Sequence, residues 1–77
     1  MTTRSSGRGT GLRHNPAALL QARLYAKLSQ TELARLAGIS QPYVSRLENG
    51  VDSPSEETLA ALAALCGVTP DSLRAAQ

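Results

Sequence analysis

The chain has 77 residues, 42% of them hydrophobic and mostly leucine or alanine, and a formal net charge of +2. This length fits one domain with a small core, and leucine and alanine lose little on entering a helix, so the composition predicts an all-α protein. The single cysteine excludes an intrachain disulfide and a cysteine-rich zinc site, and the lack of a long apolar run or an apolar N-terminal segment predicts a cytoplasmic protein.

The start of the chain is rich in glycine, serine, threonine and arginine and contains little that could be buried. We predict that residues 1–14 form a flexible basic leader and that residues 15–77 form one folded domain. The charge is uneven, since residues 1–27 carry +5 and residues 28–77 carry −3. A basic leading segment suits nucleic acid or an anionic membrane, and a solvated tail explains the charge equally well.

The first predicted helix spans about Pro16 to Lys27. Asn15 is a good N-cap, and proline suits the first helical position. Apolar residues at helical spacing predict the buried face of this helix, which consists of Leu20, Leu24, Tyr25 and Leu28. His14 has no second metal ligand nearby and is predicted to lie on the surface.

The second and third predicted helices are short and closely joined. Ser29 and Glu32 form a capping-box pattern at the start of the second helix, and Gly38 ends it. Ser40 caps the third helix, which spans about Gln41 to Asn49 and stops at Asn49-Gly50. The predicted inward residues of the two helices are Leu33, Leu36, Ala37, Val44 and Leu47. Two short helices joined by a turn of about three residues that contains glycine form a helix-turn-helix pattern.

A fourth and a fifth helix follow. Ser55 caps the fourth helix, and Gly67 closes it. Its apolar residues recur at i, i+3, i+4 and i+7 and predict a buried face of Leu59, Leu62, Ala63 and Cys66. Thr69, Pro70 and Asp71 supply an N-cap, a proline at the first position and an acid in the first turn, and this pattern predicts a short fifth helix that reaches about Ala76. Neither a strand pattern nor an internal repeat is present in the sequence.

The outward face of the third helix is the most informative surface. A solvated helix is usually rich in lysine and glutamate, whereas this face carries amides, hydroxyls and one arginine. Its residues are Gln41, Pro42, Tyr43, Ser45, Arg46 and Asn49. An amide can pair with adenine, and an arginine fork can pair with guanine O6 and N7. The face therefore predicts DNA reading, with an ordinary polar surface as the alternative.

Residues from about 16 to 76 resemble the Xre/Cro/cI family of phage-repressor-like helix-turn-helix domains. The resemblance lies in LSQTELARLAGIS at 28–40 and in VSRLENG at 44–50, and it continues in PS at 54–55, ETL at 57–59 and LCGVTPDSL at 65–73. It runs without gaps over about four fifths of the chain. It implies a compact five-helix lambda-repressor-like DNA-binding domain with a disordered basic leader.

The resemblance also implies individual roles. The positions that read bases are Gln41, Pro42, Ser45 and Arg46, and those that contact phosphates are Gln30, Tyr43, Asn49 and Gly50. Gln30 is further implied to brace Gln41, and Arg23 and Glu48 to form a partly buried ion pair. Apart from the resemblance, one interpretation of Arg4, Arg8 and Arg13 is an arm in the minor groove or along the DNA backbone, and a plain disordered leader is the alternative. Pro42 departs from the polar residue common in relatives, so contact with a thymine methyl is expected there.

Sequence-specific binding of double-stranded DNA through the major groove is therefore the leading hypothesis. It implies a small transcriptional regulator, a repressor, that binds as a homodimer on an inverted repeat and is associated with the nucleoid. The resemblance places the expected dimer surface in the loop after Asn49 and on the fifth helix near Leu73 and Arg74. The alternative is a protein-interaction module on the same fold, such as an antitoxin-like partner or a bridging coactivator. We expect no enzyme, metal or cofactor, because no Ser–His–acid set, phosphate loop or metal-ligand cluster is evident.

Overall fold

A computed structural model describes residues 14–74, so residues 1–13 of the predicted leader and the last three residues of the chain lie outside this range. The elements in chain order are α1 (Pro16–Tyr25), α2 (Gln30–Ala37), α3 (Gln41–Glu48), α4 (Glu56–Cys66) and a 3-10 helix (Pro70–Leu73). Within the described residues there is no strand, only an isolated antiparallel bridge between His14 and Arg74. The all-α class is confirmed for this part of the chain.

The fifth element is a four-residue 3-10 helix, which corrects the prediction of a fifth α-helix. Thr69 caps it, as predicted, with its side chain accepting from the amide of Ser72. Arg74 then adopts an extended backbone, at φ −78° and ψ 155°, and forms the bridge to His14. Because an extended residue cannot continue a helix, the element ends at Leu73.

Local capping bonds start each α-helix where the sequence predicts. The Asn15 carboxamide oxygen accepts from Ala17 and Ala18 at 3.0 and 3.2 Å. The capping box is complete, since Ser29 Oγ accepts from the Glu32 amide and the Glu32 carboxylate accepts from the Ser29 amide. Serine caps at 40 and 55 work in the same way. Each cap satisfies a donor that the helix itself leaves unpaired.

A three-residue turn joins α2 to α3. Gly38 lies in the left-handed region at φ 74°, where a side chain would be strained, and the amide of Ile39 donates back to the carbonyl of Ala34 at 2.9 Å. Ser40 then caps α3 immediately. This arrangement fixes the angle between α2 and α3, which pack against each other.

The core lies between the four α-helices and the 3-10 helix. Its buried hydrophobic residues are Leu19, Ala22, Leu33, Ala34, Val44, Leu47, Leu59, Leu62, Ala63, Cys66 and Leu73. The predicted inward faces of α3 and α4 are confirmed in full. The fully buried residues of each helix recur at helical spacing and define one face, which Tyr43 of α3 and Leu65 of α4 adjoin as partly buried residues.

The predicted buried face of α1 is wrong in part, since Leu28 packs against the core and Leu20 is half-buried but the other two residues are exposed. Leu24 and Tyr25 are 53% and 81% exposed, whereas Leu19 is fully buried. Leucine and alanine occur almost all round this helix, so contacts with α3, α4 and the 3-10 helix select the buried face. Leu36 of α2, predicted inward, is likewise 47% exposed, and the neighbouring Ala34 is buried in its place.

Cys66 lies in the core with 3% of its surface exposed, as predicted. Burial raises the pKa of the thiol above its ordinary value of 9.0; the charge of Arg23 opposes this shift and that of Glu48 adds to it. The folded protein therefore holds the thiol proton at a pH where the unfolded chain has lost it. The contribution of Cys66 to stability is complete below the unfolded pKa and is lost as the pH rises through the folded pKa.

We predict that the free energy of unfolding falls more steeply at alkaline pH for the wild type than for Cys66→Ala. Urea titrations between about pH 8 and pH 10.5 measure both slopes, and the groups common to the two proteins cancel in the comparison. Parallel pH profiles for the two proteins would show that the buried thiol does not titrate as described.

Candidate nucleic-acid interface

The outward surface of α3 consists of two rows of side chains. With 3.6 residues per turn, Gln41, Ser45 and Asn49 fall in one row, and Pro42 and Arg46 fall in the adjacent row. All of them are exposed except Ser45, which is half-buried. At 8 residues the helix is about 12 Å long, close to the width of the major groove. The structure thus gathers the four predicted base-reading residues on one surface.

Gln41 stands at one edge of this surface, beside α2. Its Nε2 donates to Gln30 Oε1 at 2.8 Å, and Gln30 Nε2 in turn donates to Glu48 Oε1 at 3.0 Å. This chain of hydrogen bonds continues into the Arg23–Glu48 ion pair. The orientation of the Gln41 amide is therefore set by groups that are themselves anchored in the fold.

Arg23 and Glu48 form a bidentate ion pair between α1 and the end of α3. Arg23 Nε lies 2.6 Å from Glu48 Oε2, and Arg23 Nη2 lies 3.1 Å from Glu48 Oε1. Only 11% and 4% of the two side chains are exposed. Arg23 Nη1 also donates to the carbonyl of Leu28 at 2.9 Å, which ties the end of α1 to the same cluster. The structure thus contains the pair that the family resemblance implies.

Arg46 stands at the opposite edge of the surface, beside the loop that follows α3. Its Nε lies 3.3 Å from Asp52 Oδ2, and its Cζ lies 5.6 Å from the centre of the Tyr43 ring. Tyr43 is partly buried, and its hydroxyl donates to the carbonyl of Ser53 at 3.4 Å. Arg46 therefore has an anion on one side and an aromatic ring nearby. Sequence reasoning had not singled out Asp52.

Glycine ends α3, as predicted. Gly50 has φ 74°, and the amide of Val51 donates to the carbonyl of Arg46 at 3.0 Å. The Asn49 side chain folds back, with Nδ2 donating to the carbonyl of Ser45 at 2.9 Å. The loop therefore turns sharply against the end of the helix, with Gly50 half-buried and Asn49 at the surface.

His14 is buried, so its predicted surface position is wrong. The imidazole is fully inaccessible, and its Nε2 donates to the carbonyl of Leu47 at 2.7 Å, near the end of α3. Within residues 14–74, Nδ1 is a buried polar atom with no hydrogen-bond partner. The contact joins residues 33 positions apart, so no local signal in the sequence could have revealed it.

The described part of the chain has no positive excess. Residues 14–74 contain five lysine or arginine residues and six aspartate or glutamate residues, which gives a net charge of −1 with the histidine neutral. Three of the five basic residues form ion pairs, namely Arg23, Arg46 and Arg74. The charge of +2 for the whole chain therefore depends on the leader arginines, Arg4, Arg8 and Arg13, which lie outside the described residues.

A second surface feature lies between α1 and the 3-10 helix. It is a shallow, mostly apolar groove of about 360 Å³ lined by Ala18, Gln21, Ala22, Tyr25, Val68, Ser72 and Leu73. No residue of α3 lines it. Among residues 14–74, no helix is long and apolar enough to cross a membrane, and no group of three or more His, Cys, Asp or Glu residues could hold a metal ion.

Four short α-helices, with a three-residue turn between the second and third and a polar outward face on the third, define a helix-turn-helix domain. A family model described as helix-turn-helix (HTH_3) matches residues 19–73. The chain belongs to this family, which confirms the resemblance to Xre/Cro/cI domains.

Known proteins support the same assignment. Over 51 residues the chain is 39% identical to an uncharacterized HTH-type transcriptional regulator of Haemophilus influenzae, and the match covers 66% of this chain and 52% of the relative. The clp gene regulator ClgR of Corynebacterium glutamicum superposes with a TM-score of 0.70 at 32% identity, over 73% of this chain and 60% of ClgR. The biofilm master regulator SinR, solved in complex with DNA, gives a TM-score of 0.70 at 27% identity, over 75% and 97%. The chain thus spans about half the length of its curated relative.

Proposed function

We propose that this chain is a transcriptional regulator that binds double-stranded DNA sequence-specifically through the major groove and acts as a repressor. The observation that carries the proposal is the outward surface of α3, on which Gln41 and Arg46 are each held by a neighbouring side chain. Base-reading groups that are fixed before binding lose less entropy when they meet DNA. Binding at a promoter would be enough to exclude the transcription machinery, and it would associate the protein with the nucleoid.

Gln41 is proposed to read adenine. One hydrogen of its Nε2 is used in the bond to Gln30, which leaves the second hydrogen and Oε1 for a base. A glutamine amide in this state can donate to adenine N7 and accept from adenine N6. Gln30 thus selects the orientation of the amide that matches adenine, and its own position near the start of α2 suits a phosphate contact.

Arg46 is proposed to read guanine, because its guanidinium can meet O6 and N7 together. Pro42 and Ser45 lie between the two readers on the same surface, and Pro42 offers a thymine methyl an apolar partner. Tyr43 and the Asn49-Gly50 end of the helix are proposed as phosphate contacts at its border. These contacts would fix the register of α3 in the groove without carrying sequence information.

Dimeric binding to an inverted repeat, with half-sites about one helical turn apart, is proposed from the fold class. Of the surface expected to join two copies, Val51 in the loop after α3 is 72% exposed and can contribute. Leu73, expected to take part as well, is 1% exposed and serves the core of its own chain. A dimer contact near the 3-10 helix would therefore use its outer residues.

Selection from a random duplex library tests the proposal, and replacement of Arg46 tests the assignment of the reader. We expect enrichment of an inverted repeat with half-site centres about 10 base pairs apart. Arg46→Ala is expected to cost about 1–3 kcal/mol on the selected duplex and to abolish discrimination at one G·C position. The loss arises because guanine O6 and N7 then have no protein donor.

Arg35→Ala is the matched control for Arg46→Ala. It removes the same side chain from an exposed position of α2 that has no proposed base contact. Fluorescence anisotropy on the selected duplex and a scrambled duplex measures both variants at one salt concentration. If the two variants weaken both duplexes to the same extent, α3 is not the reading element.

The groove between α1 and the 3-10 helix supports a second candidate, a protein-interaction module. Tyr25 lines this groove and is 81% exposed, and Leu24 beside it is 53% exposed. Exposed apolar residues beside a groove are typical of a contact site. This candidate predicts weak DNA binding with no sequence preference and a protein partner whose binding is lost in Tyr25→Ala. Failure of the library selection would favour it.

A further inference from the structure

Asp52 is an acidic residue that lies beside Arg46, the residue proposed to read guanine. The loop after α3 brings Asp52 to this position, because the amides of Val51 and Asp52 both donate to the carbonyl of Arg46, at 3.0 and 3.3 Å. The backbone therefore folds back toward Arg46, and the Asp52 carboxylate faces the Arg46 guanidinium. The way in which α3 ends therefore brings the two side chains within reach of each other.

The Asp52 carboxylate is itself held in place. Its Oδ1 accepts from the amide of Ser53 at 3.1 Å, and its Oδ2 faces Arg46 Nε at 3.3 Å. The carbonyl of Ser53 accepts from the Tyr43 hydroxyl, and the ring of Tyr43 lies near the Arg46 guanidinium. Asp52 and Tyr43 are thus both anchored on Ser53, and together they position Arg46.

An acid at this point opposes the attraction between the protein and phosphate. The described domain already has a net charge of −1, and a carboxylate beside the DNA adds a repulsion of phosphate that does not depend on sequence. The pair with Arg46 is about half exposed and adds little to stability. Neither general affinity nor folding therefore accounts for the arrangement.

We propose that Asp52 is a positioning residue that makes Arg46 specific for guanine, an inference that rests on the proposed base-reading function. By engaging Nε, Asp52 leaves the two terminal nitrogens of Arg46 directed at a base, which is the fork that guanine O6 and N7 accept. A phosphate bound to the same two nitrogens would lie close to the Asp52 carboxylate and would be repelled by it, whereas guanine carries no charge. Asp52 thus disfavours the sequence-independent use of Arg46, just as Gln30 orients Gln41 at the other edge of the surface.

The test compares Asp52→Asn with wild type on the selected duplex, on the same duplex with the Arg46 base pair changed, and on a scrambled duplex. Asparagine keeps the acceptor for Ser53 and removes the charge. We expect affinity for the selected duplex to fall about two- to fivefold and affinity for the scrambled duplex to rise by a similar factor, as removal of a surface charge pair allows. Discrimination at the Arg46 base pair should shrink accordingly.

Glu57→Gln is the charge-matched control. Glu57 is an exposed glutamate in the first turn of α4, and no DNA or dimer contact is proposed for it. Its replacement should leave discrimination unchanged. In an Arg46→Ala background, Asp52→Asn should likewise lose its effect on discrimination, since the residue it positions is gone. Melting curves of all variants confirm that each is folded.

Two results overturn the proposal in different ways. If Arg46→Ala relaxes one base pair but Asp52→Asn changes the affinity for all three duplexes equally, as Glu57→Gln does, the carboxylate only repels phosphate and the proposed function stands. If Arg46→Ala relaxes no base pair, the base-reading assignment of Arg46 fails, and the role of Asp52 fails with it.

Discussion

Replacement of Glu48 by glutamine is expected to lower the free energy of unfolding by about 3–5 kcal/mol. The substitution leaves the Arg23 guanidinium, 11% exposed, without a counter-charge in a site where water cannot replace it. It also weakens the acceptor for Gln30 Nε2, which bonds to the same carboxylate. For a domain of this size, 1 kcal/mol corresponds to about 4–8 °C in melting temperature, so the shift should exceed about 10 °C.

Thermal melting followed by circular dichroism measures this effect, with Glu57→Gln as the matched control. Glu57 is exposed in the first turn of α4, so the same chemical change there should cost at most about 1 kcal/mol. A melting temperature for Glu48→Gln within a degree of wild type would mean that the pair contributes almost nothing.

The double replacement Arg23→Met with Glu48→Leu separates stability from DNA reading. Apolar residues of similar size often restore or exceed the stability of a buried pair, because no uncompensated charge remains. We expect the double variant to melt well above Glu48→Gln. Its affinity for the selected duplex should nevertheless be lower than that of wild type, since Gln30 has lost the carboxylate that holds it beside Gln41.

Replacement of the three leader arginines, Arg4, Arg8 and Arg13, by alanine is expected to weaken DNA binding about a hundredfold at roughly 150 mM salt. The described domain has a net charge of −1, so the leader must supply the positive excess that attracts phosphate. If each arginine neutralises one phosphate, the slope of log K against log salt becomes shallower by about 2.7. Affinity should fall on the selected and scrambled duplexes alike.

The matched control replaces the same three residues by lysine. Lysine keeps the charge, so the salt slope should stay close to that of wild type, and any loss of affinity then reports the geometry of the guanidinium groups. Salt titrations from about 50 to 300 mM measure all three proteins. An unchanged slope for the alanine variant would identify the leader as a solvated segment and leave the phosphate contacts to the folded domain.

Local rules predicted the features whose cause lies within a few residues. The cap at Ser29 depends on Glu32, three residues later, and the stop at Gly50 depends on a backbone conformation that glycine adopts easily. The outward surface of α3 followed in the same way, because Val44 and Leu47 were the only strongly apolar residues in an otherwise polar helix. The base and phosphate roles of that surface remain predictions.

Features that depend on distant contacts were beyond such rules. The spacing of Leu24 and Tyr25 fits a buried stripe, yet the packing partners of α1 select the face that carries Leu19. His14 gives no local sign of its bond to the Leu47 carbonyl. Asp52 and Arg46 are six positions apart, and only the sharp turn at the end of α3 brings their side chains together.

The bridge between His14 and Arg74 has a consequence for how this fold can be used. The amide of Asn15 also donates to the carbonyl of Leu73 at 2.7 Å, so the polypeptide enters and leaves the domain at one place. A unit whose two ends are adjacent can be inserted into a loop of a host protein, or circularly permuted, with only short linkers. This helical domain is therefore suited to insertion into another protein, because both of its connections to that protein would lie side by side.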